Sequence, residues 1–281
     1  MFISLGSVRV TFWGVRGSTP APSPYNSRYG GNTSCMSVEL ADTDRLLVFD
    51  AGTGLRELGE SMQEPFRGHL FSTHLHLDHV QGLTFCPSIL RPGAEVTIYG
   101  PTQDEGTLEK AFSLLFSPPY FPVPLFDLAP RFEFVELTDD TVVADGATVR
   151  GAMVPHAGPT LGYRLQYGDT VVAFIPDHQQ PTDSDCINQN VLTLASDADL
   201  LVHDAQYSPD EFVAKADWGH STIEYAVRVA ETARARRLAL FSHDPAHSDE
   251  EIDALLQRAL RCRRDPRMEI FASADGQVVE L

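Results

Sequence analysis

Short runs of apolar, β-branched residues alternate along the chain with stretches of helical periodicity. Strand patterns fall at 8–13, 46–49, 69–73, 96–99, 132–137 and 148–154, then at 162–167, 170–175, 200–202, 238–242 and 268–273. Tyr167-Gly168-Asp169-Thr170 joins two of these runs with a hairpin signal. The closing stretch from Phe271 to Val279, with Asp275-Gly276 at its middle, predicts a second hairpin that closes the sheet. Two helices carry start signals. Ser221-Thr222-Ile223-Glu224 and Ser248-Asp249-Glu250-Glu251 both have capping-box spacing, and apolar stripes follow, Ile223/Val227/Ala230 in one and Ile252/Leu255/Leu256/Ala259/Leu260 in the other. Weaker helical patterns cover 54–62, 79–90 and 105–116. Prolines 118, 119, 122, 124 and 130 make 117–130 an ordered surface loop, and no linker divides the chain, so one domain over 1–281 is expected.

Composition narrows the classes. With 43% hydrophobic and 21% charged residues the chain is neither fibrous nor wholly disordered. Its net charge of −18 argues against a basic face for long nucleic acid, while a small anion can still be held by a buried cation. No apolar run reaches about 18 residues, so no membrane-spanning helix is predicted. The opening residues read as a first strand rather than a signal peptide. Cys35, Cys86, Cys186 and Cys262 are scattered, which fits buried thiols in a reducing cytoplasm.

The chemistry concentrates in His74-Leu75-His76-Leu77-Asp78-His79, directly after a strand pattern. Four ligand-type side chains within six residues converge only where the backbone turns at a strand end, and imidazole with carboxylate suits zinc or a similar divalent ion. Later apolar strands end in His156, in Asp177-His178 and in His243-Asp244. A lone histidine in such a place is usually a capped or solvated residue; three strand ends that complete one set are not easily dismissed.

Together with Asp50 in Phe49-Asp50-Ala51-Gly52, these motifs resemble the metallo-β-lactamase superfamily over nearly the whole chain. The resemblance implies an α/β fold, a four-layer αββα sandwich of two mixed sheets with helices outside. It implies two divalent metal ions, zinc in the first place and manganese or iron as alternatives. His74, His76 and His156 would bind one, Asp78, His79 and His243 the other, with Asp177 between them and Asp50 orienting a ligand by hydrogen bonding. Asp177 stands where the best-known secreted zinc β-lactamases carry Cys, and His76 where flavodiiron oxidoreductases carry Glu, so the set looks like that of a redox-silent hydrolase.

Two further motifs resemble those of ribonuclease Z and its cyclic-phosphodiesterase relatives. His203-Asp204-Ala205-Gln206 resembles their His-Glu-Ala-Thr, with Asp for Glu and Gln for Thr; Gly219-His220-Ser221-Thr222 resembles their His-Ser-Thr. Phe12 to Pro20 and Arg28 to Ser34 resemble that group's Gly-rich first turn, and its long basic arm is missing. The implied catalytic set is Asp78, with His220 protonating the leaving group and Asp204 orienting it; the plain reading of His220 is a polar residue outside a helix cap. His203 either holds the loop that presents Asp204 or is a buried, hydrogen-bonded histidine. Arg16, Arg28 and His178 are candidates for substrate contact, against salt-bridge and turn roles. Phe112, Phe116, Tyr120 and Phe121 either cover a nucleobase or form a satellite cluster.

The expected activity is hydrolysis of a small or cyclic phosphodiester, such as a 3′,5′-cyclic nucleotide, by a homodimer with no membrane partner. The alternatives are a ribonuclease Z-like RNA endonuclease and a glyoxalase II-like thioester or lactone hydrolase. A non-catalytic binding protein would have lost ligands, and all seven are present.

Overall fold

The computed structural model describes residues 7–128, 131–182 and 186–281. One sheet contains β1 (Val8–Gly14), β2 (Cys35–Leu40), β3 (Leu46–Phe49), β4 (Arg67–Phe71), β5 (Glu95–Pro101) and β6 (Arg131–Leu137). A second contains β7 (Asp139–Ala144), β8 (Ala147–Met153), β9 (Leu161–Tyr167), β10 (Thr170–Ile175), β11 (Leu200–Asp204), β12 (Arg237–Phe241) and β13 (Glu269–Ala272). The last strand, β14 (Val278–Glu280), returns to the first sheet, beside β1. The orders are β14-β1-β2-β3-β4-β5-β6 and β13-β12-β11-β10-β9-β8-β7. β3 to β6 run parallel, as do β10 to β13, and the other pairings are antiparallel.

Three apolar layers hold these sheets. Between them lie Phe12, Phe49, Phe71, Tyr163, Phe174 and Phe241, with the Phe49 and Phe71 rings stacked at 5.2 Å. Each fully buried aromatic contributes roughly 1.5–3 kcal/mol through area alone. The first sheet's outer face packs on α1 (Gly54–Ser61), α2 (Leu77–Val80) and α3 (Leu108–Leu115). The second sheet's outer face packs on α4 (Gln189–Ala195), α6 (Ile223–Thr232) and α7 (Asp249–Cys262), while α5 (Pro209–Phe212) lies in a connection. The result is the αββα sandwich, with both sets of parallel strands pointing their carboxyl ends toward one edge.

Several sequence expectations need correction. The hairpin expected at 271–279 does not form, because β13 pairs with β12 and β14 with β1 in the opposite sheet. The Asp275-Gly276 turn crosses between sheets, anchored by Gly276 N to Phe12 O (2.7 Å) and Asp275 N to Tyr29 O (2.9 Å). The helix expected at 79–90 stops at Val80 and becomes a 3-10 turn over Gln81–Phe85, since Gly82 N bonds the Ala51 carbonyl at 2.8 Å. The capping box expected at Ser221 is shifted. Thr222 caps α6 through Tyr225 N (3.2 Å), and Ser221 Oγ instead donates to the His178 carbonyl at 2.6 Å. Ser248 and Glu251 do form their box on α7, and Ser208 with Glu211 forms another on α5. The helix expected from 105 starts at Leu108, capped by Thr107.

β2 and the polar edge strand β7 were not anticipated. Phe112, Phe116 and Phe121 are buried in the first sheet's outer layer, so they form a satellite cluster; Tyr120 is exposed. Pro130 lies outside the described residues. All four cysteines are free, and among the described residues no helix is long and apolar enough to cross a membrane.

Candidate metal centre

The edge where the parallel strands end is built around one carboxylate. Asp50 leaves β3 with φ +60 and is fully buried. Its oxygens accept from Ser34 Oγ (2.8 Å), Thr73 N (2.8 Å), Thr73 Oγ1 (2.9 Å) and His79 Nδ1 (2.7 Å). A left-handed aspartate costs roughly 1–3 kcal/mol, and these donors offset it. Ser18 and Ser242 beside the site also sit at positive φ. Asp50 thereby fixes the strand end before His74 and orients His79.

Hydrogen bonds on the outer side of each imidazole set which nitrogen faces inward. Thr73 Oγ1 gives its proton to Asp50 and so accepts from His74 Nδ1 at 3.0 Å, leaving His74 Nε2 with a lone pair. His156 Nδ1 donates to the Gly219 carbonyl at 2.6 Å, which leaves its Nε2 likewise. Gly219 is required here: its φ is +93, and a Cβ would meet His156 Nδ1 at 2.6 Å. The inward atoms crowd together. His76 Nδ1 lies 2.9 Å from His74 Nε2 and 3.3 Å from His156 Nε2, and Asp177 Oδ2 lies 3.7 Å and 3.5 Å from the same two Nε2 atoms. On the other side of Asp177, His79 Nε2 is 3.4 Å from Asp177 Oδ2 and 3.2 Å from Asp78 Oδ2. His74, His76, His156 and Asp177 thus form one donor group and Asp78, His79 and Asp177 another, with Asp177 in both.

Burial and charge act in opposite directions on the two groups. Burial, with neighbouring imidazoles, holds His74 well below the usual histidine range and lowers His76, which keeps their lone pairs available. Burial also depresses His79, but Asp78, Asp177 and Asp50 outweigh it and hold it well above that range. His79 Nε2 is buried with no hydrogen-bond partner among the described residues. A cation held between the carboxylates would give that nitrogen its partner.

Beside Asp177 stands a second pair. His220 Nδ1 donates to Asp204 Oδ2 at 2.7 Å, and Asp204 also accepts from the backbone of His178, Gln206 and Ser221. Burial opposes a charge on His220, yet Asp204 and then Asp177 push its pKa up to about 9, so it is an imidazolium at neutral pH. Behind it, His203 Nδ1 donates to the Asp204 carbonyl at 2.7 Å and its Nε2 accepts from His178 Nδ1 at 3.1 Å.

Of the expected site residues, His243 stands outside the donor groups among the described residues. Its Nε2 donates to the Ser273 carbonyl at 3.0 Å, and burial lowers its pKa to about 3, so Nδ1 is the nitrogen that keeps a lone pair. Two expected substrate contacts, Arg16 and His178, are corrected. Arg16 is fully buried, its Nε on Gly30 O (2.8 Å) and its Nη1 on the Asp244 and His247 carbonyls (3.1 and 2.7 Å), so it pins loops rather than presenting a fork. Arg28 is paired with Asp253 on α7 at 2.6 Å, the salt-bridge role weighed for it, and its side chain is half exposed. His178 is fully buried against His203 and cannot reach a substrate from there. Sequence reading missed a polar frame. Ser18 N donates to Asp78 Oδ2 (2.8 Å), Ser242 Oγ links Asp177 Oδ1 (3.3 Å) to Gln206 Oε1 (3.2 Å), and Gln179 Oε1 accepts from Gly219 N (2.7 Å). Thr73, adjacent to His74, was the one such residue that position alone could have marked.

Comparison with known proteins places this geometry. The model of the β-lactamase superfamily domain matches residues 45–243. A ribonuclease Z of Haloferax volcanii is 29% identical, spanning 98% of this chain and 95% of its own. Another, from Halorubrum lacusprofundi, is 30% identical over 83% of this chain and 86% of its own. Among solved structures, a metallo-β-lactamase-fold protein of Bacillus subtilis superposes with a TM-score of 0.71, at 19% identity, over 98% of this chain and 100% of its own.

Proposed function

The chain belongs to the β-lactamase superfamily, and from that premise we propose that it is a two-metal hydrolase of small or cyclic phosphodiesters, such as a 3′,5′-cyclic nucleotide. One observation carries the reading: a protonated imidazole paired with a buried carboxylate, His220–Asp204, stands within 4.8 Å of the carboxylate shared by both ligand groups. A thioester or lactone hydrolase would need the ligand groups but would leave that pair without a task.

The donor set fits divalent cations, zinc first, with manganese or iron as alternatives. His74, His76, His156 and Asp177 would hold one, and Asp78, His79, Asp177 and the free Nδ1 of His243 the other. When bound, such cations supply Lewis acidity toward phosphoryl oxygens and an acidified water. The protein's residues do the rest. Asp50, Gly219 O and Ser273 O fix the tautomers of His79, His156 and His243. His220 gives its Nδ1 proton to the bond with Asp204, which keeps the ring charged, and Nε2 is the atom left to protonate the departing alkoxide. Buried Tyr163, whose hydroxyl donates to the Ser72 carbonyl at 2.7 Å, braces the strand end that carries His74.

A second reading, RNA endonuclease, is favoured by the ribonuclease Z relatives, since RNA is itself a phosphodiester. The net charge of −18 weighs against it. Metal-loaded protein assayed with bis(p-nitrophenyl) phosphate, 3′,5′-cyclic AMP, a tRNA precursor, a thioester and a β-lactam separates these readings. Turnover of the small diesters with little on tRNA precursor is expected; cleavage of the precursor alone, or of the thioester alone, would replace the reading.

A further inference from the structure

The segment that delivers His220 carries an aromatic side chain that packing leaves open. Trp218 is 62% exposed, whereas the two residues after it, Gly219 and His220, are buried. Its backbone is fixed. Trp218 N donates to Lys215 O at 3.0 Å, Gly219 N to Gln179 Oε1 at 2.7 Å, and Gly219 O receives His156 Nδ1 at 2.6 Å. The side chain stands on a cationic frame. The Lys215 ammonium lies 5.6 Å from the Trp218 ring centre and 4.5 Å from that of Tyr207. Lys215 is paired with Asp244, next to His243, at 2.7 Å, and the Tyr207 ring meets His220 edge-on at 5.8 Å. Trp218 thus shares the Lys215 ammonium with Tyr207, the ring that meets His220.

We propose that Trp218 is the stacking platform for an aromatic base carried on the leaving side of the substrate, which makes the substrate a nucleotide-type diester rather than one joining aliphatic alcohols. The inference rests on the phosphodiesterase reading. His220 is the group placed to protonate the leaving oxygen, so what lies beyond that oxygen meets Trp218. An indole held open by a rigid backbone retains an apolar face that water serves poorly, and a nucleobase covers such a face whatever its hydrogen-bonding edge.

The chain has two tryptophans, and Trp13 is tied through Nε1 to Ser37 Oγ at 2.8 Å on β1 and β2. Trp13→Phe therefore leaves Trp218 as the sole indole emitter. Zinc-loaded Trp13→Phe protein titrated with adenosine 5′-monophosphate is expected to show saturable quenching that ribose 5-phosphate does not reproduce. Trp218→Ala is expected to lower the ratio of kcat/KM for 3′,5′-cyclic AMP to that for a base-free diester, glycerophosphocholine, by about 5- to 150-fold, with Trp218→Phe restoring most of it. Equal quenching by the two phosphates, or an unchanged ratio, would overturn the platform while leaving diester hydrolysis standing. Failure to hydrolyse any diester would overturn both.

Discussion

The two halves of the donor cluster are built differently. On one side of Asp177, three imidazoles from two strand ends crowd to within 2.9–3.3 Å at their inward nitrogens. Two of them are oriented from behind, His74 by the adjacent Thr73 hydroxyl and His156 by the Gly219 carbonyl, and their inward nitrogens already meet. On the other side, Asp78 and His79 are joined by no further close donor among the described residues, and His243 stands back on the Ser273 carbonyl. Ser18 N holds Asp78 and the Ser273 carbonyl holds His243, so this half has its residues fastened but one of them not yet gathered in. One half is gathered and the other is not, although both share one carboxylate, and the two are expected to differ in how firmly each would hold an ion.

The comparison can be broken most severely at the shared residue. Asp177→Ala is expected to reduce zinc content below one equivalent and to cut kcat by about a thousandfold or more, read by metal analysis and diester assay. An intact two-metal protein would refute the sharing. His220→Ala is next, with a fall in kcat of about 10²–10⁴ and unchanged zinc content. The sign of its pH dependence follows from a raised pKa. Paired with Asp204, His220 is charged below its raised pKa and loses its proton above it, so the wild-type rate falls on the alkaline side and the variant loses this limb. Sharper still for the contrast, His243→Ala should lose one zinc equivalent and keep the other, whereas His76→Ala should weaken the tighter site by about 10- to 100-fold or more. Equal losses from both variants, measured by zinc titration, would erase the distinction between the halves.

The smallest effect lies away from the ions. Asp275 accepts from Gly31 N and Asn32 N at 3.1 and 3.0 Å, its other oxygen is buried without a partner among the described residues, and burial pushes its pKa up to about 7. A carboxyl whose pKa is raised on folding binds its proton more tightly in the native state, so stability falls as pH rises from about 4 to about 7 and is level above. Asp275→Asn should flatten that slope and leave the variant more stable than the wild type at pH 8, where the wild-type carboxyl is charged and buried. Identical pH slopes in urea melts of the two proteins would count against it.

Much of this arrangement was legible in the residues. Apolar runs marked most of the strands closely enough to place His74, His156, Asp177 and His243 at strand ends, and for His74, Asp177 and His243 the reason is that parallel strands buried on both faces leave continuous apolar signatures. Edge strand β7 begins Asp139-Asp140 and faces water, so it leaves none. The crossing at Asp275-Gly276 looked like a hairpin because turn chemistry reports a reversal of chain but not which sheet receives it. Arg16 and His178 were misjudged for the same physical reason. A charged or polar type near a motif says nothing of burial, and both proved to be buried fastenings. Gln206 and Ser242 act through partners far away in the chain, which spacing does not encode.

The central claim, that one carboxylate lies between two bound cations, is tested most directly by crystals grown with zinc and measured at the zinc absorption edge. Two anomalous peaks about 3.5–4 Å apart, one on each side of Asp177, are the expected result. A single peak remote from Asp177, or none, would contradict it.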